Sequence, residues 1–267
     1  AVLGLGREPV DPLRDVIRDE GDVVVPVDVR NFGHWLKLLL GPPVTTGAGP
    51  YVHTFTSGAA VLPSLSLEIG MPEVPKYFVH GGTMANTMAL RFERSGRADA
   101  TLGSIAQGET PSGTSVGGMP AGAALQFFSQ FQGSIKKAGA DLANVTLATL
   151  TYSNGLEKVE PIRPDGKIGG ADPALVTVSG QIDVRFADND LMGAATGGTP
   201  VDLELAYSIG PDTAVVFTLP RVFLPKPKLP IQGPGGIQAS FQWQASRDPV
   251  GGHAMSVVLK NDVVSYP

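Results

Sequence analysis

The stretch Val27-Asp28-Val29-Arg30-Asn31-Phe32-Gly33-His34-Trp35-Leu36-Lys37-Leu38-Leu39-Leu40-Gly41 decides how this chain is read. Its first four residues alternate apolar and charged with period 2, the mark of a half-buried strand, and from Phe32 the apolar residues crowd into a short helical run. Asn31 is placed to cap that helix through its side-chain oxygen. A second copy begins 155 positions later, with Ile182-Asp183-Val184-Arg185 followed by Phe186 to Ala195. There Asp188 or Asn189 is the expected cap. Gly81-Gly82-Thr83-Met84-Ala85 is echoed at nearly the same spacing by Gly235-Gly236-Ile237-Gln238-Ala239. Each diglycine opens a strand, and a further strand follows at Ala98 to Gln107 and at His253 to Asn261. Strand, helix, diglycine and hairpin in one order predict a duplicated unit.

Outward from these anchors the chain reads as short strands punctuated by turns. Tyr51 to Thr56 and Leu62 to Ile69 are strands, and in the second Leu65, Leu67 and Ile69 alternate with Ser64, Ser66 and Glu68. Met84 to Glu93 turns at Ser95-Gly96 into the strand at 98–107. Ala124 to Lys137 turns at Ala138-Gly139 into Asp141 to Tyr152, and Asn154-Gly155 makes a tight turn. In the second half come strands at 175–187, 201–209 and 214–223, a helix at 190–195, and a stiff connection carrying Pro225, Pro227 and Pro230. Residues 237–244 alternate most cleanly, with Gln238, Ser240, Gln242 and Gln244 on one side and Ile237, Phe241 and Trp243 on the other. The Gly/Ser/Thr/Pro-rich stretch 108–122 reads as a loop or linker. The expectation is a mainly β fold of two tandem β-sandwich or open-barrel domains, each with one short flanking helix. Residues 1–110 form the first, 111–122 the linker and 123–267 the second.

Composition narrows the function. A hydrophobic content of 42% excludes a disordered chain, and 34 Gly with 23 Pro spread without period exclude collagen. There is no cysteine, hence no disulfide framework and no thiolate chemistry. No apolar run reaches the length of a membrane span, and no secretory signal is visible; the chain opens at Ala1, which is compatible with removal of upstream residues. A net charge of −5 suits tolerating nucleic acid better than gripping it.

Catalytic constellations are missing from the sequence. His34, His53, His80 and His253 share no metal-ligand spacing. The glycine-rich segments precede no helix that would hold a phosphate. Glu157 with Glu160, and Asp188 with Asp190, sit at turns and strand ends where surface carboxylates are ordinary. The reading is no catalytic residue, no metal, no cofactor and no enzyme.

The segments PVDVRNFGHWLKLLLG (26–41), LPSLSLEIG (62–70), GSIKKAGADLANVTLATLTYSNG (133–155) and PIQGPGGIQASFQWQASRD (230–248) together resemble the major tail tube proteins of long-tailed bacteriophages. The resemblance covers most of the chain and implies a structural virion protein. Its inner sheets would join side by side into a closed barrel, and stacked rings would form the tube through which DNA is ejected. Implied partners are further copies of the chain, a tape measure protein in the lumen, terminator and distal tail proteins, and DNA passing without specific binding. The implied location is the virion tail, assembled in the host bacterial cytoplasm, with no membrane contact. Many members carry a single domain in hexameric rings, so a duplicated chain implies a homotrimer of six equivalent positions. Ser64, Ser66, Glu68, Gln238, Ser240, Gln242 and Gln244 are the expected lumen-facing residues, with Leu65, Leu67, Ile69, Ile237, Phe241 and Trp243 turned into the cores. Competing readings are a related ring, such as a tail terminator or baseplate hub, and a non-viral β-sandwich that binds carbohydrate or protein.

Overall fold

The structure, a computed structural model, describes residue 11 and residues 15–118, 124–185, 190–226 and 238–267. Ile237, the second diglycine, Pro227, Pro230 and the expected caps Asp188 and Asn189 lie outside these. In chain order the elements are β1 (Asp19–Pro26), α1 (Phe32–Leu40), β2 (Val44–Thr46), β3 (Tyr51–Thr56), β4 (Leu65–Met71), β5 (Lys76–Phe92), β6 (Asp99–Ala106) and β7 (Gly108–Ser112). A 3-10 turn at Gln130–Gln132 precedes β8 (Gly133–Lys137), β9 (Ala140–Asp141), β10 (Val145–Ser153), β11 (Glu157–Val159), β12 (Gly170–Asp172) and β13 (Thr177–Arg185). The chain then forms α2 (Asp190–Gly197), β14 (Val201–Gly210), β15 (Thr213–Phe223), β16 (Gln238–Ala245) and β17 (Ser256–Asn261).

These strands make two layers. The first is the antiparallel run β1-β6-β5-β10-β13-β16, and the second is β9-β8-β14-β15-β17-β3-β2. They meet at a corner where Val222 and Phe223 of β15 pair with Ala245 and Gln244 of β16. Period-2 alternation turns one side of each layer inward. Registers align Val25, Ala100, Leu90, Leu150, Gly180 and Trp243 as one inward row across all six strands of the first layer. From the second layer Leu205, Tyr207, Phe217, Val257 and Phe55 are buried in the same core. Phe92 of β5 and Tyr207 of β14 stack across the layers at 4.5 Å between ring centres. The mainly β sandwich expected from the alternation is what forms.

Helix α1 closes one side, against β5 and β3, with its apolar face buried at Phe32, Leu36, Leu39 and Leu40. Its start differs from expectation. Asn31 sits in a helical conformation and makes no side-chain cap; Asp28 Oδ1 accepts instead from the Arg30 and Asn31 N–H groups at 2.8 and 2.7 Å. At the other end buried Asn154 donates to the Leu39 carbonyl at 2.8 Å, satisfying one of the acceptors that a helix terminus leaves open. The C-terminal tail latches across α1: Asn261 Nδ2 donates to Val29 O, and Tyr266 OH to Arg30 O. Gly33 leaves the room that the Tyr266 ring occupies.

The order strand–helix–strand recurs at β1–α1 and β13–α2, but the neighbours do not. β1 is an edge strand bonded to β6, while β13 lies between β10 and β16. The halves also share one core: Val25, Leu90 and Phe55 belong to the same buried cluster as Leu150, Phe217 and Trp243. The expected linker carries β7 at its start, and β7 pairs with β5. Beyond Gly81 and Gly82, where φ at Gly82 is +62°, the first part of β5 leaves the sandwich and forms a separate arm with β4 and β7. The arm corrects one expectation: Ile69 is 46% exposed, so it does not point into the core. Leu67 is half-buried there, and Leu65, at the root, packs against the core. Phe241 and Trp243 are buried as expected.

Gly180 shows how tight the inward row is. A Cβ there would come within 2.5 Å of Trp243 Cζ2 and closer still to the Thr149 carbonyl oxygen. Gly180→Ala is expected to lower stability by about 1–3 kcal/mol through overpacking. Gly210→Ala, with nothing within 4 Å of the added carbon, should be near neutral. Denaturant midpoints of the two variants check this, and equal midpoints would mean that the row is not tightly packed.

Candidate functional site

The alternation that buries one side of the first layer leaves the other side polar. On β10, Thr149, Thr151 and Ser153 alternate with buried Ala148, Leu150 and Tyr152. On β13, Ser179, Gln181 and Asp183 alternate with Val178, Gly180 and Ile182, and on β16 every second residue is Gln or Ser. Register assembles them into rows. One runs Val24, Thr101, Ala89, Thr151, Ser179, Gln244; a parallel one runs Arg91, Thr149, Gln181, Gln242; a third begins Asp22, Gly103, Thr87, Ser153, Thr177. The result is a six-stranded wall rich in small hydroxyl and amide side chains, with Asp22, Val24 and Arg91 among them.

Its polar groups satisfy one another. Gln242 Nε2 donates to Gln181 Oε1 at 2.5 Å, Gln181 Nε2 to Asp183 Oδ1 at 2.7 Å, and the Gln181 N–H to Thr149 Oγ1 at 3.0 Å. A shallow depression of about 290 Å³ lies between Glu20, Asp22, Asn86, Thr87 and Ser104. At the lower end the wall is covered by a small second core, where Leu62, Met84, Ile105, Leu156 and Ala171 meet.

Gln238, Ser240, Gln242 and Gln244 all lie exposed on this open face. Ser64, Ser66 and Glu68 are on or beside the arm, so the structure does not bring the two groups onto one sheet. Ser64 and Ser66 are exposed there. Glu68 is committed to holding a loop: it accepts from Ser115 Oγ and the Val116 N–H, each at 2.7 Å. The Ser115 hydrogen bond in particular holds its carboxyl below the usual carboxylate range. Thr149, Thr151, Ser153, Ser179 and Gln181 were overlooked in the sequence. The signal was present in the alternation Ala148-Thr149-Leu150-Thr151-Tyr152-Ser153.

The titratable groups do not converge on a reaction centre. Buried His53 is held by Thr45 Oγ1 at 2.9 Å, Asn261 Oδ1 at 3.1 Å and Val263 O at 2.9 Å. His80 pairs with Asp19 at 2.9 Å. Desolvation lowers the pKa of His34, which packs edge-on against Tyr266. His253 contacts the Gly251 carbonyl. Glu157 and Glu160 are exposed. A cleft of about 340 Å³ between residues 16–19, 105–106 and 158–168 is lined by Ile17, Ile105 and Ile168, and its Lys158 is paired with Glu20 at 2.7 Å. Among the described residues no three His, Cys, Asp or Glu side chains are grouped to hold a metal. No described helix is long and apolar enough to cross a membrane.

What stands out is therefore an extended surface and not a pocket: a broad polar wall on one side of a β-sandwich. Comparison with known proteins agrees in kind. The chain matches a family described as phage tail tube protein, over residues 1–245. No curated protein matches it. The matched span takes in both helices, the arm and the whole six-stranded layer. The chain thus belongs to the phage tail tube protein family, as a structural protein of the virion that self-assembles and associates with other tail proteins, and not as an enzyme.

Proposed function

We propose that copies of this chain close into rings whose stacking makes the conduit for DNA ejection, with the open face of the first layer as the inner wall. The observation that carries this is the wall itself: five adjacent strands, β6, β5, β10, β13 and β16, present Thr, Ser or Gln on the side away from the core, and β1 adds Glu20, Asp22 and Val24. Such groups stay hydrated and offer phosphate no fixed cation, so a duplex slides past them.

The edges support ring closure. β1 and β16 end the layer, and among the described residues β16 pairs along Gln238–Trp243 only with β13. Unpaired edges invite pairing with another chain, and closure into a barrel removes them. Six antiparallel strands are an even number, so β1 of one copy set beside β16 of the next continues the alternation of strand direction.

Strand count then limits copy number. Strands about 4.8 Å apart and tilted about 40° give a backbone diameter of about 36 Å for eighteen strands, and about 24 Å for twelve. Twelve leave too little room for a duplex once side chains line the wall, so three copies are the smallest ring that conducts DNA. Three copies also agree with a duplicated origin of residues 1–110 and 123–267, about the linker 111–122. The recurring strand–helix order supports that origin, with strands since shared between the copies in one sandwich. Ser64, Ser66 and Glu68 then belong to the arm, where rings contact one another. Inside the tube we place the tape measure protein, and at its ends the terminator and distal tail proteins, with assembly in the host cytoplasm.

Two experiments test this. The chain has no cysteine, so Val24→Cys with Gln242→Cys gives one reactive group on each edge strand. A short bis-maleimide should link copies into a ladder ending at three; a ladder reaching six rules out the trimer, and no interchain product rules out edge pairing. Thr151→Lys with Gln242→Lys should leave tubes intact but slow DNA ejection, more so at low salt where screening is weak. Unchanged ejection at low salt would put this face elsewhere than the lumen.

A further inference from the structure

Arg91, Arg97 and Arg185 interrupt the hydroxyl and amide groups of the wall, and each has a carboxylate two positions away along the chain: Glu93 just past β5, Asp99 at the start of β6, and Asp183 on β13. A two-residue step returns to the same side of a strand, so every one of these arginines has an acid beside it on the open face. Arg91 Nε is bonded to Glu93 Oε1, and Arg97 Nε to Asp99 Oδ1 at 2.7 Å. The β5–β6 register ends at Leu90 and Ala100, so both ion pairs sit at the hairpin end of the wall.

The backbone beneath them is held in place. Buried Gln130 donates to the Arg91 carbonyl at 2.9 Å and accepts from the Glu93 N–H at 3.0 Å. The Tyr207 hydroxyl lies 3.1 Å from the same Arg91 carbonyl. The Arg97 guanidinium stands 5.7 Å over the Phe127 ring. The side chains themselves are well exposed, at 63% for Arg91 and 53% for Arg97. Ion pairs that open to water contribute about 0–1 kcal/mol to folding. Stability alone is a weak reason for this arrangement.

We infer that Glu93 and Asp99 are built-in counter-ions that keep Arg91 and Arg97 from binding the phosphates of DNA moving along this face. The inference rests on the open face being the wall of a DNA conduit. An arginine fork matches phosphate and carboxylate alike, and the carboxylate two residues away already occupies it. Without that acid, each guanidinium would bind phosphate and release a condensed counter-ion, and the effect would repeat in every ring. The arginines are thereby kept as rigid, hydrated parts of the wall without adhesion.

The test is Glu93→Gln/Asp99→Asn in the full chain. Asp141→Asn/Asp212→Asn serves as a control that removes the same charge from exposed positions on the second layer, off the wall. Linear duplex DNA is titrated against unassembled subunits and against assembled tubes, and thermal melts confirm folding of both variants. Unassembled Glu93→Gln/Asp99→Asn should bind DNA at least about tenfold more tightly than the control near 50 mM salt, and lose that gain by about 200 mM. Assembled tubes of the same variant should show no gain for DNA added outside, because the freed arginines face the lumen. Binding no tighter than the control's overturns the counter-ion role and leaves the wall assignment standing. Tubes that gain binding on their outer surface overturn the wall assignment, and the protective role with it.

Discussion

Burial of one side of the first layer is the constraint on which the rest depends. Side chains alternate with a period of two, so a one-residue slip of any strand would exchange its inward and outward sets. Trp243, Phe241, Ile182, Leu150 and Leu90 hold the register, each buried to 4% exposure or less. Burying a side chain of this size contributes roughly 1.5–3 kcal/mol, far more than any polar contact on the opposite face. The core therefore fixes which Thr, Ser and Gln look outward. The wall is a consequence of the packing, and its chemistry is what remains free to vary.

The same constraint explains the edges and the arm. Among the described residues, no further strand covers the outer edge of β1, and β16 pairs beyond β13 only at Gln244 and Ala245. The second layer supplies rigidity from behind: the Phe92–Tyr207 stack and the Tyr207 hydroxyl tie the hairpin end of the wall to β14. Asn154 does the same for α1, donating to the Leu39 and Ala85 carbonyls, and Asn261 for the connection into it, donating to the Val29 carbonyl. The wall is thus a stiff plate held from its buried side. The arm leaves it at Gly82, where a positive φ bends β5 out of the layer at a residue with no Cβ.

Much of this was legible in the residues. Both helices, the β5–β6 hairpin and the polar face of β16 follow from periodicity and turn chemistry, because each is a local signal. The expected Asn31 cap does not form because Asp28 accepts from the Arg30 and Asn31 N–H groups and Asn31 itself sits in a helical conformation. Ile69 was assigned to the core because alternation shows that a strand has two faces without showing what covers them. On the arm Ile69 stays 46% exposed. The shared core was the least legible feature: the joining of β5 to β10 and of β17 to β3 is a long-range choice that no local pattern encodes. The polar faces of β10 and β13 rest on an alternation as plain in the sequence as that of β16.

The central claim is that the six-stranded layer faces inward in a closed ring. The most direct measurement is an electron cryo-microscopy reconstruction, made without imposed symmetry, of tubes assembled from the purified full chain. The account predicts a continuous inner barrel with six strands from each chain, β1 beside the neighbour's β16, and Thr151 and Gln242 on the lumen surface. A reconstruction with those residues on the outer surface, or with the layers of adjacent chains left unjoined, would contradict it.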